Sequence, residues 1–274
     1  MSAFDDDTRL EPLHDAAPGA VGGFGYAGRV QPAWNIGAHP NGGYLLALAA
    51  RALQLRTPHH PDALSVTVHY LRPGLPGQPC RIDTQLLRSG RTLSTLRATL
   101  VQQGHPRLEL LAAMGDLGAA DAAAPPRLAL PVPDMPPPEA CLPRSAPAQG
   151  VGLPILQRLD VRLHPDEARP GAAGRAHLRG WIRFTDGRKP DGLACLLMAD
   201  ASPPAVFGLL GQVGWVPTIE LTVHLRRRPA PGWLLGEFGS RDLSDGRIVE
   251  DGALWDAAGR LVLQSRQLAL VRKA

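Results

Sequence analysis

The sequence predicts an α+β fold made of two copies of one unit, each an antiparallel sheet wrapped round a central helix. Three observations predict it. Motifs recur in order across the 274 residues: Pro40-Asn41-Gly42 as Pro190-Asp191-Gly192, Thr67-Val68-His69 as Thr222-Val223-His224, and Ser89-Gly90-Arg91 as Asp245-Gly246-Arg247, at offsets of 150, 155 and 156 positions. Each match is short, but their shared order argues for a duplicated unit. A Pro- and Ala-rich stretch, 116–150, divides the chain into halves, 1–115 and 151–274. Within each half a Gly-containing turn leads into an apolar helical stretch and then into strand-like runs.

Near the start of the first half, Gly23-Phe24-Gly25-Tyr26-Ala27-Gly28 fits the dinucleotide glycine fingerprint, which works only where a strand precedes it and a helix begins there. Residues 29–34, with Pro32 among them, read as strand or turn, so a Gly-softened strand is expected instead. From Tyr44 to Leu55, Leu45, Leu48, Ala49 and Ala52 fall at helical spacing and make one apolar face. Four strand-like runs come next, Leu64–Tyr70, Arg81–Arg88, Thr92–Gln102 and Leu108–Met114, and the alternation of Val66, Val68 and Tyr70 turns one face inward. In 116–150 the prolines fix φ and remove backbone donors, which predicts a linker without helix or central strand. The second half repeats the plan with an apolar stretch from Leu193 to Met198 and runs at Ile219–Leu225, Leu234–Arg241, Ile248–Trp255 and Leu261–Val271. Ser89-Gly90 and Asp245-Gly246 are hairpin signals between middle strands. A central helix followed by an antiparallel meander is the hotdog plan, here in tandem, with the two sheets edge to edge and both helices inside.

Composition excludes several classes. Apolar residues make up 44% and charged residues 20% of the chain, an ordinary globular balance. The net charge of +4 is spread along the sequence, unlike the basic stripe with interleaved aromatics of a nucleic-acid binder. The one dense run, Arg226-Arg227-Arg228, is either a solvated strand end or a phosphate contact. Cys80, Cys141 and Cys195 are too far apart to suggest a disulfide framework or metal site, and no metal or organic cofactor is expected. The N-terminus lacks the basic and apolar regions of a signal peptide, and no apolar run is long enough to span a membrane; a cytoplasmic protein is the expectation. No Gly-x-Ser-x-Gly elbow is present, which disfavours an α/β-hydrolase.

Three segments, His39-Pro40-Asn41-Gly42-Gly43-Tyr44-Leu45, His69-Tyr70-Leu71-Arg72-Pro73-Gly74 and Leu87-Arg88-Ser89-Gly90-Arg91, resemble the first half of the acyl-CoA thioesterase II (TesB-like) family. Leu197-Met198-Ala199-Asp200, Pro217-Thr218-Ile219-Glu220-Leu221-Thr222-Val223-His224 and Ser265-Arg266-Gln267 resemble its second half. The resemblance implies a double hotdog whose catalytic water is held by an Asp, a Thr and a Gln, here Asp200, Thr218 and Gln267. It also implies an acyl-CoA substrate and a thioester hydrolase of fatty acid metabolism. Ala201-Ser202-Pro203-Pro204 departs from the pattern and should end or kink the helix just after Asp200.

The internal repeat bears on this independently. Asp200 is equivalent to Ala50, Thr218 to Ala63, and Gln267 to Ala112 or, with a slip of two, Met114. Each polar residue of the second half faces an apolar one of the first, as a single functional site per chain would produce; drift of surface residues is the alternative. A carboxylate can accept a proton from water, and Thr and Gln can orient that water without titrating. Gly42 and Gly43, at a helix N-terminus, are candidate amides for the carbonyl oxygen, with Asn41 and His39 as neighbours lining the substrate pocket. His69 and His224 occur in both halves, which favours a shared structural role over a catalytic pair. The alternatives are a non-catalytic acyl-CoA or lipid-binding hotdog protein and an enoyl-CoA hydratase-type enzyme, which would want an Asp–His pair. Because hotdog sheets commonly associate, a homo-oligomer is expected.

Overall fold

In the computed structural model of the chain, residues 2–13, 23–119, 126–212 and 214–271 are described. All eight expected strands form: Asp62–Tyr70, Pro79–Ser89, Ser94–Gln102 and His105–Gly115 in the first half, and Thr218–Leu225, Leu234–Ser244, Arg247–Trp255 and Leu261–Leu270 in the second. Alternation sets their faces, with Val66 and Val68 fully buried while His69 is exposed. Asp245 (φ 52°) and Gly246 (φ 71°) both take the left-handed conformation that a tight two-residue hairpin requires. Gln103 and Gly104 form an equivalent turn, at φ 51° and 73°, which the sequence did not announce because Gln seldom adopts positive φ.

The strands form one continuous sheet rather than the two expected. Its order is Glu11–Leu13, Gly23–Arg29, Pro79–Ser89, Ser94–Gln102, His105–Gly115, Asp62–Tyr70, Thr218–Leu225, Leu261–Leu270, Arg247–Trp255, Leu234–Ser244, His177–Phe184, Leu159–Leu163 and Leu142–Pro143. The halves join where Asp62–Tyr70 pairs antiparallel with Thr218–Leu225. Each would otherwise leave a row of unpaired amides and carbonyls. In that seam Thr67 lies opposite Thr222, Val66 opposite Val223 and Val68 opposite Leu221. Thr67 and Thr222 are the repeat's own equivalents, and their hydroxyls are 2.9 Å apart. A local two-fold axis therefore passes between them, as in an isologous interface. The register also fixes the repeat: Val66 pairs with Ala112 and Leu221 with Gln267, so Gln267 is equivalent to Ala112 without a slip.

Two helices lie on this sheet. The first central helix, Gly42–Arg56, starts at Asn41, whose side-chain oxygen accepts the Tyr44 N–H at 2.9 Å. It is buried continuously from Gly43 to Ala50, because it packs on four strands of its own half and on the second helix. The second, Gly192–Met198, is capped in the same way by Asp191 and ends at the Ala199 cap, before Asp200 rather than just after it as Ala201-Ser202-Pro203-Pro204 had suggested. The N-terminus of the first meets the C-terminus of the second so closely that a Cβ on Gly43 would lie 2.5 Å from the Leu197 carbonyl oxygen.

Gly23–Arg29 is a strand paired with Pro79–Ser89, so its glycines belong to a ladder and cradle no nucleotide. The strands Leu159–Leu163 and His177–Phe184 were not anticipated. The described part of the Pro-rich stretch packs against the second half instead of hanging free. The indoles of Trp181 and Trp255 donate to the Pro136 and Leu130 carbonyls, Leu142–Pro143 adds an edge strand, and Ala146–Gln149 forms a short helix. Arg228 binds Asp62 and Asp116 across the seam, which gives the basic run a structural task.

A buried ionic cluster pins His177–Phe184. The His177 ring lies 2.9 Å from Glu167 and 3.0 Å from Glu237, and Arg179 and Arg175 also face Glu167. Hydrogen bonding to Glu167 outweighs burial and raises the His177 pKa above 6.5. A raised histidine pKa stabilises the fold fully below the unfolded value and loses that contribution as pH rises through the folded one. The melting temperature should therefore fall from pH 6.5 upward, and thermal melts of His177→Gln should show a flatter dependence over the same range.

Candidate active site

The junction of the two helix ends opens into a cavity of about 380 Å³. Asp200, Thr218 and Gln267 all line it, as do His39, Asn41 and Gly42; Gly43 does not. The sequence expectation thus falls in one place, although Asp200 lies 159 positions from Asn41 along the chain.

Asp200 sits one residue beyond the cap of the second helix. Its Oδ2 accepts the Gly43 N–H at 2.9 Å and the Asn41 side-chain amide at 3.0 Å; Asn41 also donates to the Asp200 carbonyl at 2.7 Å. The carboxylate is therefore held at the N-terminal end of the first central helix, where the dipole favours negative charge. Burial nevertheless raises its pKa to about 6, against the lowering pull of the Gly43 amide, Arg144, Asn41 and the Gly42 amide. Arg144 is buried, donates to Gln149 and to the Ala201 carbonyl, and so ties down the chain just after Asp200.

Thr218 opens its strand, and the Gln267 side-chain amide donates to its hydroxyl at 2.6 Å. This leaves the Thr218 proton and, on Gln267, the second N–H and the carbonyl oxygen for another group. Directly opposite Gln267 in the sheet is Glu250, a cavity-lining carboxyl that the sequence reading missed. It accepts the Ala205 N–H at 2.6 Å. Burial raises its pKa to about 7, and the nearby Asp200 charge adds to the rise. His39 stacks on Trp215 with ring centroids 4.6 Å apart. His69 and His224 are exposed and lie outside the cavity.

The two-fold axis supplies a comparison within the chain. Pairing of Leu96 with Ala112 and of Glu250 with Gln267 makes Glu250 equivalent to Leu96, which is fully buried. The sheet register reveals this pair, since the sequence offsets of 155 and 156 point instead to Thr95 and Ser94; it adds to Asp200/Ala50, Thr218/Ala63 and Gln267/Ala112. At the counterpart helix junction the cavity chemistry is replaced by ion pairs. Arg188 binds Asp191 at 2.6 Å and Asp5 at 2.8 Å, and Arg51 approaches Asp5 at 3.7 Å. The arrangement as a whole puts a carboxyl of raised pKa and a Thr–Gln pair on the wall of one cavity. Among the described residues no cluster of His, Cys, Asp or Glu is arranged to hold a metal, and no helix is long and apolar enough to cross a membrane.

Comparison with known proteins agrees with this picture. The sequence profile of the acyl-CoA thioesterase N-terminal domain matches residues 30–118, and that of the C-terminal domain matches residues 138–271. An uncharacterized protein of Mycobacterium tuberculosis is 31% identical over 96% of both chains. A candidate thioesterase II from Thermobifida fusca is 36% identical and superposes with a TM-score of 0.85, covering 100% of this chain and 98% of that one. A hot dog fold protein from Alicyclobacillus acidocaldarius, 24% identical, superposes at 0.82 over 100% and 99% of the two chains. An acyl-CoA thioesterase II from Mycobacterium marinum, 22% identical, does so at 0.74 over 99% and 98%; these last two bear on the fold alone.

Proposed function

Because the chain belongs to the acyl-CoA thioesterase family and has a hotdog fold, we propose that it is a double hotdog that hydrolyses the thioester of an acyl-CoA at a single site. One observation carries the proposal: Oδ2 of Asp200 is anchored by Gly43 and Asn41, while the same residue lines a cavity shared with the Thr218–Gln267 pair.

The water would be held by Asp200, Thr218 and Gln267. Its oxygen attacks the thioester carbonyl and its proton passes to Asp200. The carbon–sulfur bond then breaks, and the proton moves from Asp200 to the departing sulfur, giving CoA and the carboxylic acid. Asn41, Gly42 and His39 border the path of the substrate. Thiol release from acyl-CoAs of graded length, measured for the parent and for Asp200→Asn, tests the proposal. Turnover that collapses in the variant supports it; binding without turnover, unchanged by the substitution, leaves a non-catalytic binding protein. Including a trans-2-enoyl-CoA in the panel tests the hydratase alternative, since His39 lines the same cavity as Asp200; water addition across its double bond would replace the hydrolase assignment.

The acid limb of kcat/KM should report the ionisation of Asp200, near pH 6. Arg144 lowers that pKa by its charge, so in Arg144→Met the limb should move to higher pH, as read from a pH–rate profile. The outer edge at Leu142–Pro143 is a short strand, which discourages edge-to-edge growth there. A homo-oligomer of the cytoplasmic enzyme would therefore form through other surfaces, and light scattering would give its order.

A further inference from the structure

Thioester hydrolysis needs a donor for the oxygen that gains charge as water attacks. A helix N-terminus beside the attacking water is the obvious source, but here its amides face the protein's own acceptors. The Gly43 N–H goes to Asp200, and the Gly42 amide lowers the pKa of the same carboxylate. The Tyr44 N–H goes to the Asn41 side chain and the Leu45 N–H to the Asn41 carbonyl. Of the side-chain donors nearby, the Asn41 amide bonds Asp200 twice and the Gln267 amide gives one N–H to Thr218.

One donor has no partner. The Tyr70 hydroxyl is buried and has no hydrogen-bond partner, and of the described residues with such an orphaned side-chain atom Tyr70 alone lines the cavity. A Cβ on Gly42 would lie 3.1 Å from the Tyr70 hydroxyl oxygen and 2.9 Å from Asp200 Oδ2. The two oxygens thus flank the same bare Cα, beside the place where the water would be activated. A buried polar atom left unpaired costs stability and asks for an explanation. Burial, with the charges of Asp200 and Glu220 adding to it, raises the pKa of the phenol well above 10, so it keeps its proton at any working pH.

The two-fold axis gives independent support. Tyr70 ends its strand as Leu225 ends the equivalent one. At the counterpart junction Leu225 meets a Cβ on Gly192 at 3.0 Å, as Tyr70 meets Gly42. The packing role is therefore filled by leucine at the counterpart junction, and of these two equivalent residues only the one at the junction that holds Asp200 carries a hydroxyl. Asp200, Thr218, Gln267 and Glu250 come from the second half and Tyr70 from the first, because this one junction joins the start of the first helix to the end of the second.

We propose that the Tyr70 hydroxyl is a catalytic hydrogen-bond donor to the thioester carbonyl oxygen, in place of the helix amides committed to Asp200. This rests on the hydrolase assignment above. Tyr70→Phe keeps the ring and removes only the hydroxyl. It should lower kcat by about 10²–10³-fold with KM nearly unchanged, while leaving the melting temperature equal or higher, since the group removed has no native partner. A hydroxyl serving structure would show the reverse, a lower melting temperature and normal kcat, and that result overturns the proposal. A second measurement does not require turnover. A ketone analogue of the substrate, with CH₂ in place of sulfur, should bind the parent more tightly than the thioether lacking the carbonyl, and Tyr70→Phe should erase that preference. An unaltered preference overturns the role of Tyr70 whether or not the parent hydrolyses acyl-CoAs. Absence of turnover by the parent, with the preference present and lost in the variant, overturns only the hydrolase assignment.

Discussion

Asp200→Asn should lower thioester turnover by about 10²–10⁴-fold, the range of general-base catalysis, in a protein that folds normally. The amide oxygen of asparagine can take the place of Oδ2 and accept from Gly43 and Asn41, so the helix junction keeps its bonds while the proton acceptor is gone. Stability should respond in the opposite direction. Burial raises the carboxyl pKa from 3.8 to about 6, so the native state holds a proton that the unfolded chain has released. Stability is then fully present below pH 3.8 and falls as pH rises to about 6. Above that range the ionised carboxylate costs on the order of 3 kcal/mol, and Asp200→Asn should be the more stable protein there. Urea unfolding at pH 4 and pH 7.5 reads the difference. A variant less stable than the parent at pH 7.5 would mean that the carboxylate is a net structural asset.

Adjacent glycines should give contrasting failures. A Cβ on Gly43 would lie 2.5 Å and 3.0 Å from the carbonyl oxygens of Leu197 and Leu196. Both are backbone atoms at the crossing of two buried helices, so neither can swing aside. Gly43→Ala should cost about 3 kcal/mol or more, seen as a large drop in the denaturation midpoint, and should lose activity as Asp200 shifts. A Cβ on Gly42 meets side-chain oxygens instead, those of Asp200 and Tyr70. Gly42→Ala should therefore keep its stability within about 1 kcal/mol, since alanine suits a helix better than glycine. Its turnover should fall at least about tenfold through misplacement of the carboxylate. Equal loss of stability in the two variants would show that the crossing is looser than these distances imply.

The strands were legible because their cues are local: Val66 and Val68 alternate with outward residues, and Ser89-Gly90 and Asp245-Gly246 mark turns. The hotdog plan put the two sheets edge to edge, but the strands that meet were not legible, since nothing within Asp62–Tyr70 or Thr218–Leu225 says that each covers the other's edge. Leu159–Leu163 does alternate, but the Pro- and Gly-rich chain after it obscured its partner, and Gly180 weakens the strand signal of His177–Phe184. At the site, Asp200, Thr218 and Gln267 were found by motif, and the repeat pointed to them as well. Tyr70 escaped because the halves were compared only at residues the resemblance had already marked, though Leu225 stands at the repeat offset; Glu250 escaped because the offsets of 155 and 156 pair it with Thr95 and Ser94, and only the sheet register sets it against Leu96. Arg144 was lost to the stretch assigned as a linker. The partner of Asn41 is 159 residues away and belongs to tertiary structure alone.

The pairing of Thr67 with Thr222 also bears on how such a protein can change. In a symmetric dimer of identical subunits every substitution lands at both related junctions, so neither can be given up while the other works. Joining the copies in one chain removes that constraint. One junction here keeps an acid, an alcohol and an amide around a cavity. The other has exchanged them for alanine and leucine and is clamped by Arg188, Asp5 and Asp191. The covalent connection thus permits a division of labour, in which one half-turn of the symmetry serves as workplace and the other as fastening.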